Sequence, residues 1–185
     1  EIKDGRATSV RFRQLGTQKL AECAGEIILA AGAIGSPQIL QLSGIGPVEI
    51  LSNHGIPVYH ALPGVGGNLQ DHLQIRAIYR LGVGQTLNER ADSLWGKIKI
   101  ALEFAAKRSG PMSMAPSQLG VFTKSDPALE TPDLQYHVQP LSLDKFGEPL
   151  HNFPAITASV CNLRPESRGN VAISSADPFA KPKIR

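Results

Sequence analysis

The stretch at residues 26–47, "EIILAAGAIGSPQILQLSGIGP", constrains this chain more than any other. It opens as an apolar run through Ile27, Ile28 and Leu29, with the length and β-branched content of a buried strand. Gly32, Ala33 and Gly35 break the run, and helical spacing follows. Ser36 is a good N-cap and Pro37 suits the first helical position, with Ile39, Leu40 and Leu42 behind them and Gly44 as the stop. A buried strand that turns through small residues into a capped helix leaves free backbone N–H groups, and the positive end of the helix dipole, at the turn. Phosphate-bearing ligands bind at such places, and small residues let a bulky ligand reach the main chain. The same residues also suit a helix packed tightly on a strand, so the segment by itself leaves both readings open.

Its surroundings predict an α+β chain. "RATSVRFRQ" alternates through Ala7, Val10 and Phe12 as a half-exposed strand, and "LGTQK" closes a turn after it. A second short helix runs from Pro47 through Leu51 to Gly55. Pro57, Pro63, Gly64, Gly66 and Gly67 then crowd into one loop, the expected junction between two domains, residues 1–72 and 73–185. Beyond it Leu94, Ile98, Ala101, Leu102 and Ala105 share one face of a long helix, with Lys97, Glu103 and Lys107 available to solvent. The last third is strand-like in "PDLQYHVQPL", "AITASVCNL" and "NVAISS", the last two expected to pair antiparallel across residues 165–169.

Several function classes drop out. The net charge of +3 is scattered along 185 residues, which does not make a nucleic-acid or anionic-membrane surface. No apolar run approaches the roughly 20 residues of a spanning helix, and no leader peptide opens the chain, so a cytoplasmic protein is expected. Cys23 and Cys161 are far apart and outside any C-x-x-C pair, and are read as two unpaired thiols. Ser43 in "QLSGIG" lacks the first glycine of a nucleophile elbow. His54, His60 and His137 have no partner at metal-ligand spacing, so no metal is expected. His72 beside Asp71 reads as a structural hydrogen-bonder and His151 beside Asn152 as loop surface, because adjacent side chains on a regular element point apart.

"GAIGSPQILQLSGIG", residues 32–46, resembles the second signature of the glucose-methanol-choline oxidoreductases, FAD-dependent oxidases and dehydrogenases of alcohols. Gly32, Ala33, Ser36, Pro37, Ile39, Leu40, Ser43, Gly44, Ile45 and Gly46 all satisfy that pattern. "LPGVGGNLQDHL" and "LRPESRGNVAISSADPFAKPKI" resemble later segments of choline dehydrogenase-like members, so the likeness covers nearly the whole chain.

The resemblance implies the end of an α/β FAD-binding domain in residues 1–72 and part of an antiparallel-sheet substrate domain with packed helices in residues 73–185. Ala31 and Gly32 would approach the cofactor by main chain, with Ser36, Pro37 and Asn68 as further contacts. Members of the family pass a hydride from an alcohol carbon to the flavin while a base takes the hydroxyl proton. That base is a histidine from a C-terminal region, and the FAD pyrophosphate is held by Gly-x-Gly-x-x-Gly. Neither has a counterpart here, so no catalytic residue is assigned. The chain is expected to be an internal fragment that is inactive alone, does not retain FAD, self-associates, and is part of an enzyme that takes a small-molecule alcohol. The alternative is a non-catalytic interaction module derived from such an enzyme. Which alcohol, and whether oxygen accepts the electrons, stay open.

Overall fold

The computed structural model describes residues 1–145 and 147–185. They gather into two compact units, Glu1–Gln70 with Glu166–Arg185, and Asp71–Pro165.

The first unit begins with two antiparallel hairpins. β1 (Ile2–Lys3) turns through Asp4 and Gly5 into β2 (Arg6–Ala7), and β3 (Ser9–Gln14) turns through Leu15 and Gly16 into β4 (Thr17–Glu22). All four turn residues have positive φ, between 49° and 79°, the twist that a two-residue hairpin loop requires. The half-exposed strand expected around Val10 and Phe12 is β3, where these side chains are 43% and 41% exposed.

The buried strand expected over residues 26–31 does not form. The segment carries no ladder, and Ile28 is 87% exposed. A central strand needs edges to pair with, and no described segment offers one here.

The first helix, α1 (Gly32–Leu42), starts four residues ahead of the expected cap at Ser36. Ser36 lies inside it, and its Oγ reaches back to accept the Ala31 N–H at 3.1 Å. Pro37 is also inside, where its missing N–H forfeits the one bond that the Ala33 carbonyl would accept. The helix stops where expected: Gly44 has φ +82, and a Cβ there would run into the Pro57 carbonyl. After it come β5 (Ile45–Gly46), α2 (Val48–Asn53) and β6 (His60–Ala61), with β5 and β6 paired in parallel.

The second unit is a four-stranded antiparallel sheet with short helices. Its strands are β7 (Gln74–Arg80), β8 (Leu119–Thr123), β9 (Leu134–Gln139) and β10 (Ala155–Asn162), in the order β7-β10-β9-β8. Sequence reading placed β9 and β10 but missed the edge strands β7 and β8. Two helices follow β7 in the chain: α3 (Leu87–Arg90), capped by the Thr86–Glu89 box, and α4 (Leu94–Lys107), capped by Ser93 Oγ on the Gly96 N–H at 3.0 Å. The apolar stripe of α4 faces out, with Leu94 74% and Leu102 63% exposed. At the far end of β9, the Ser125 hydroxyl and N–H hold the Asp133 carboxyl below its usual range.

Two further expectations need correction. "NVAISS" does not pair with β10, because β7 and β9 already occupy both of its edges. It supplies β11 (Val171–Ala172), which pairs with β12 (Lys183–Ile184). The chain therefore crosses between units twice rather than once at 72/73, and Glu166–Arg185 belongs with the first unit. Gln41 explains why. Completely buried, it donates from Nε2 to the Val65 and Val171 carbonyls at 3.3 and 3.0 Å and accepts the Ile173 N–H at 2.8 Å. Leu51, Val171 and Ile173, all at most 3% exposed, belong to this unit's small core. No helix among the described residues is long and apolar enough to cross a membrane.

Candidate functional site

In the first unit, α1 meets the glycine-rich loop in a groove of about 380 Å³ lined by Ser36, Pro37, Leu40, Gly67, Asn68 and Val171, among others. The loop can turn there because Gly66 and Asn68 take positive φ, 83° and 58°. A side chain at Gly66 would also strike the Val171 carbonyl. Three expected cofactor contacts, Ser36, Pro37 and Asn68, therefore share one surface. Ala31 and Gly32 do not line the groove but stand at the start of α1, both exposed.

No side chain caps that helix, so the first N–H groups are left for a ligand or solvent. A Cβ built on Gly32 would meet nothing within 4 Å, which leaves the main chain open to approach. These features fit a flavin dinucleotide in part. The groove is of the size that holds a ring system or a diphosphate, and an uncapped helix start suits an anion. A wider cleft of about 960 Å³ lies elsewhere in the unit, beside Arg13, Tyr59 and Phe179, and none of the expected cofactor contacts reaches it. We favour the smaller groove, since chemistry and not volume selects a site.

In the second unit the ladder register puts Gln74 and Arg76 of β7, Ser159 and Cys161 of β10, and Gln135 and His137 of β9 on one sheet face. Gln139 and Thr157 continue this face, and residues 141–143 cover that end. Thr157 Oγ1 donates to the Leu141 carbonyl at 2.8 Å and Arg76 to the Leu143 carbonyl at 3.4 Å. The opposite face carries Ile75, Tyr79, Tyr136, Val138, Leu119 and Val121. Sequence reading missed the polar face because β7 had gone unrecognised. The alternation in "QIRAIYR" was the available signal.

His151 is not loop surface. Its Nε2 faces Asp144 Oδ1 at 3.2 Å and its Nδ1 faces Ser142 Oγ at 3.0 Å, while the ring stacks on Phe153 at 4.9 Å. Facing a carboxylate, Nε2 carries the proton in the neutral ring, so Nδ1 accepts from the Ser142 hydroxyl. Asn88 Nδ2 donates to the same Ser142 Oγ at 2.9 Å. Ser142 is 0% exposed, and this Ser-His-Asp row ties a loop down rather than presenting a nucleophile. His72 is exposed, and its main-chain N–H donates to Asp71 Oδ1 at 2.9 Å. His54 donates from Nε2 to the Ile173 carbonyl at 3.1 Å. Cys23 and Cys161 are both free thiols.

Residues 1–74 match the GMC oxidoreductase family, and the similarity continues beyond them. Over 184 residues the chain is 39% identical to the oxygen-dependent choline dehydrogenase of Chromohalobacter salexigens, covering 100% of this chain and 33% of that one. The chain is thus similar to GMC oxidoreductases along its whole length, with the family match itself confined to its first 74 residues. The Vibrio vulnificus oxygen-dependent choline dehydrogenase is likewise 39% identical over 185 residues and is covered to 33%. Among solved structures, the formate oxidase of Aspergillus oryzae RIB40, whose FAD is named with it, superposes with a TM-score of 0.82 at 25% identity. The match takes in 96% of this chain and 36% of that one. An FAD-dependent oxidoreductase from Chaetomium thermophilum shares the fold, with a TM-score of 0.69 at 24% identity over 100% of this chain and 38% of its own. The chain spans about a third of the length of the relatives it matches.

Proposed function

We propose that these residues form part of an FAD-dependent alcohol oxidoreductase that oxidises a CH–OH group of a small molecule, the first unit holding cofactor and the second facing substrate. The observation that carries this reading is the uncapped start of α1 beside the groove of Ser36, Pro37 and Asn68, inside the segment that bears the family signature.

The Ala31 and Gly32 main chain, Ser36, Pro37 and Asn68 would hold FAD, which when bound serves as the hydride acceptor. The open backbone at Gly32 would let the cofactor come close, and the first N–H groups of α1 would orient its electron-rich edge. In the second unit the polar sheet face would orient the alcohol by hydrogen bonds. Among the described residues no group of three or more His, Cys, Asp or Glu could hold a metal ion. The chain by itself is proposed to be inactive and to lose FAD. The exposed stripe of α4 supports self-association when it is produced alone.

The test is to load with FAD the polypeptide that carries these residues and follow flavin bleaching by a panel of alcohols without oxygen. Bleaching is the expected result. Gly32→Val, which closes the open main chain, is expected to weaken FAD binding by about tenfold or more. A polypeptide that takes up no FAD would sink the proposal.

A further inference from the structure

We infer that Gln41 is a positioning residue for the cofactor, holding the walls of the groove at the spacing that lets Asn68 reach FAD. The inference rests on the FAD-binding reading above and deepens it. Gln41 acts through Asn68 and does not itself touch the flavin.

The groove has three walls. The first is α1, which contributes Ala33, Ser36, Pro37 and Leu40, the spacing of one helix face. The second is the glycine-rich loop from Val65 to Gln70, and the third is Val171. Gln41 follows four residues after Pro37, on the same side of the helix, but it is 0% exposed, so it supports the groove from below instead of lining it. Its Nε2 donates to the Val65 carbonyl of the second wall at 3.3 Å and to the Val171 carbonyl of the third at 3.0 Å. Its Oε1 accepts the Ile173 N–H at 2.8 Å. A neutral amide, with two N–H donors and an acceptor, can serve all three at once. The partners fix its orientation, because two carbonyls need Nε2 and an N–H needs Oε1.

Asn68 lies three residues beyond Val65, at φ 58°. Asn tolerates this left-handed conformation without preferring it, so its placement depends on how the loop is held at each end. After Asn68, the Leu69 N–H donates to the Gly169 carbonyl at 2.9 Å and the Gly169 N–H to the Leu69 carbonyl at 2.7 Å. Before it, the Val171 N–H donates to the Gly66 carbonyl at 2.7 Å. These bonds tie the second wall to the third, and Gln41 ties both to α1. The loop runs so close to the amide that a Cβ on Gly66 would meet Gln41 Nε2 at 2.8 Å. Bonds kept for stability alone could fall anywhere in the core, whereas both carbonyls that Gln41 serves belong to residues of the groove. Without the amide, the start of α1 and Asn68 are free to shift against each other, and a binding constellation tolerates only about half an ångström of such movement.

The experiment uses the FAD-loaded polypeptide that carries these residues. Gln41→Leu is expected to weaken FAD binding roughly tenfold, in a fluorescence titration run at a temperature where the variant is still folded, and to alter the visible circular dichroism of the bound flavin. Leu51→Ala opens a cavity in the same core without lining the groove, and is expected to lower the melting temperature while leaving FAD affinity and spectrum as they were. Combining Gln41→Leu with Asn68→Ala is expected to weaken binding by less than the product of the two single effects, because one residue acts through the other. A measurement on the wild type keeps the test independent of how the variants fold. Coupling between groove and amide is reciprocal, so FAD is expected to slow hydrogen exchange at the Ile173 N–H about tenfold more than at the Leu51 N–H, which bonds the Pro47 carbonyl at 3.2 Å. A folded Gln41→Leu with wild-type FAD affinity, full additivity with Asn68→Ala, or equal protection of the two amides would each overturn the inference and leave the enzyme reading intact. A wild-type polypeptide that takes up no FAD overturns both.

Discussion

Gln41 shows what a single residue decides here. In the sequence it is one polar position in a short helix. In the fold it is completely buried and hydrogen-bonded to Val65, Val171 and Ile173. Gln41→Leu removes those partners while keeping the volume, leaving two carbonyls and an N–H buried without hydrogen bonds. It is expected to cost about 3 kcal/mol of stability, read as a lower urea midpoint with an unchanged slope. Ser36 and Pro37 were legible as residues of a helix start, yet the helix begins five residues upstream, with Ala31 as its cap and Gly32 as its first residue. His151 was misread for a related reason. Its partners Ser142, Asp144 and Phe153 come together only when residues 141–154 fold back on themselves.

At the scale of elements, signals that act locally were the dependable ones. Gly44 ends α1 because a left-handed residue is needed there and because Pro57 passes close by. Gly44→Ala therefore meets both backbone strain and a clash, and is expected to lose about 2 kcal/mol or more, measured as a drop in melting temperature. The helix α4 and strands β9 and β10 also follow from their periodicity. The failures concern partners. An apolar run at residues 26–31 predicts a buried strand only if two neighbours exist, and none pairs with it. "NVAISS" predicts a strand but not its mate, and β10 had no free edge left for it. β7 was missed although its alternation was there to read, and β8 is a five-residue strand interrupted by Gly120, which weakens its periodic signal.

Across the whole molecule, each unit leaves much apolar surface uncovered. Leu94, Trp95 and Leu102 of α4 are 74%, 73% and 63% exposed, more contiguous apolar surface than a soluble monomer usually shows. The chain produced alone is expected to self-associate, with light scattering giving a mass above 19.8 kDa. The double variant Leu94→Glu with Leu102→Glu is expected to shift it toward monomer, and a wild-type chain that stays monomeric would count against the idea. The family signature and the α+β class were readable from sequence, because glycine, proline and capping residues report the local backbone, and the resemblance named Ser36, Pro37 and Asn68, which line one groove. The two-unit division, the return of Glu166–Arg185 through Gln41, and the buried polar face of the sheet were decided by tertiary structure alone. The physical reason is that strand pairing and burial depend on which distant segment supplies the opposite edge or face, and no local pattern records that.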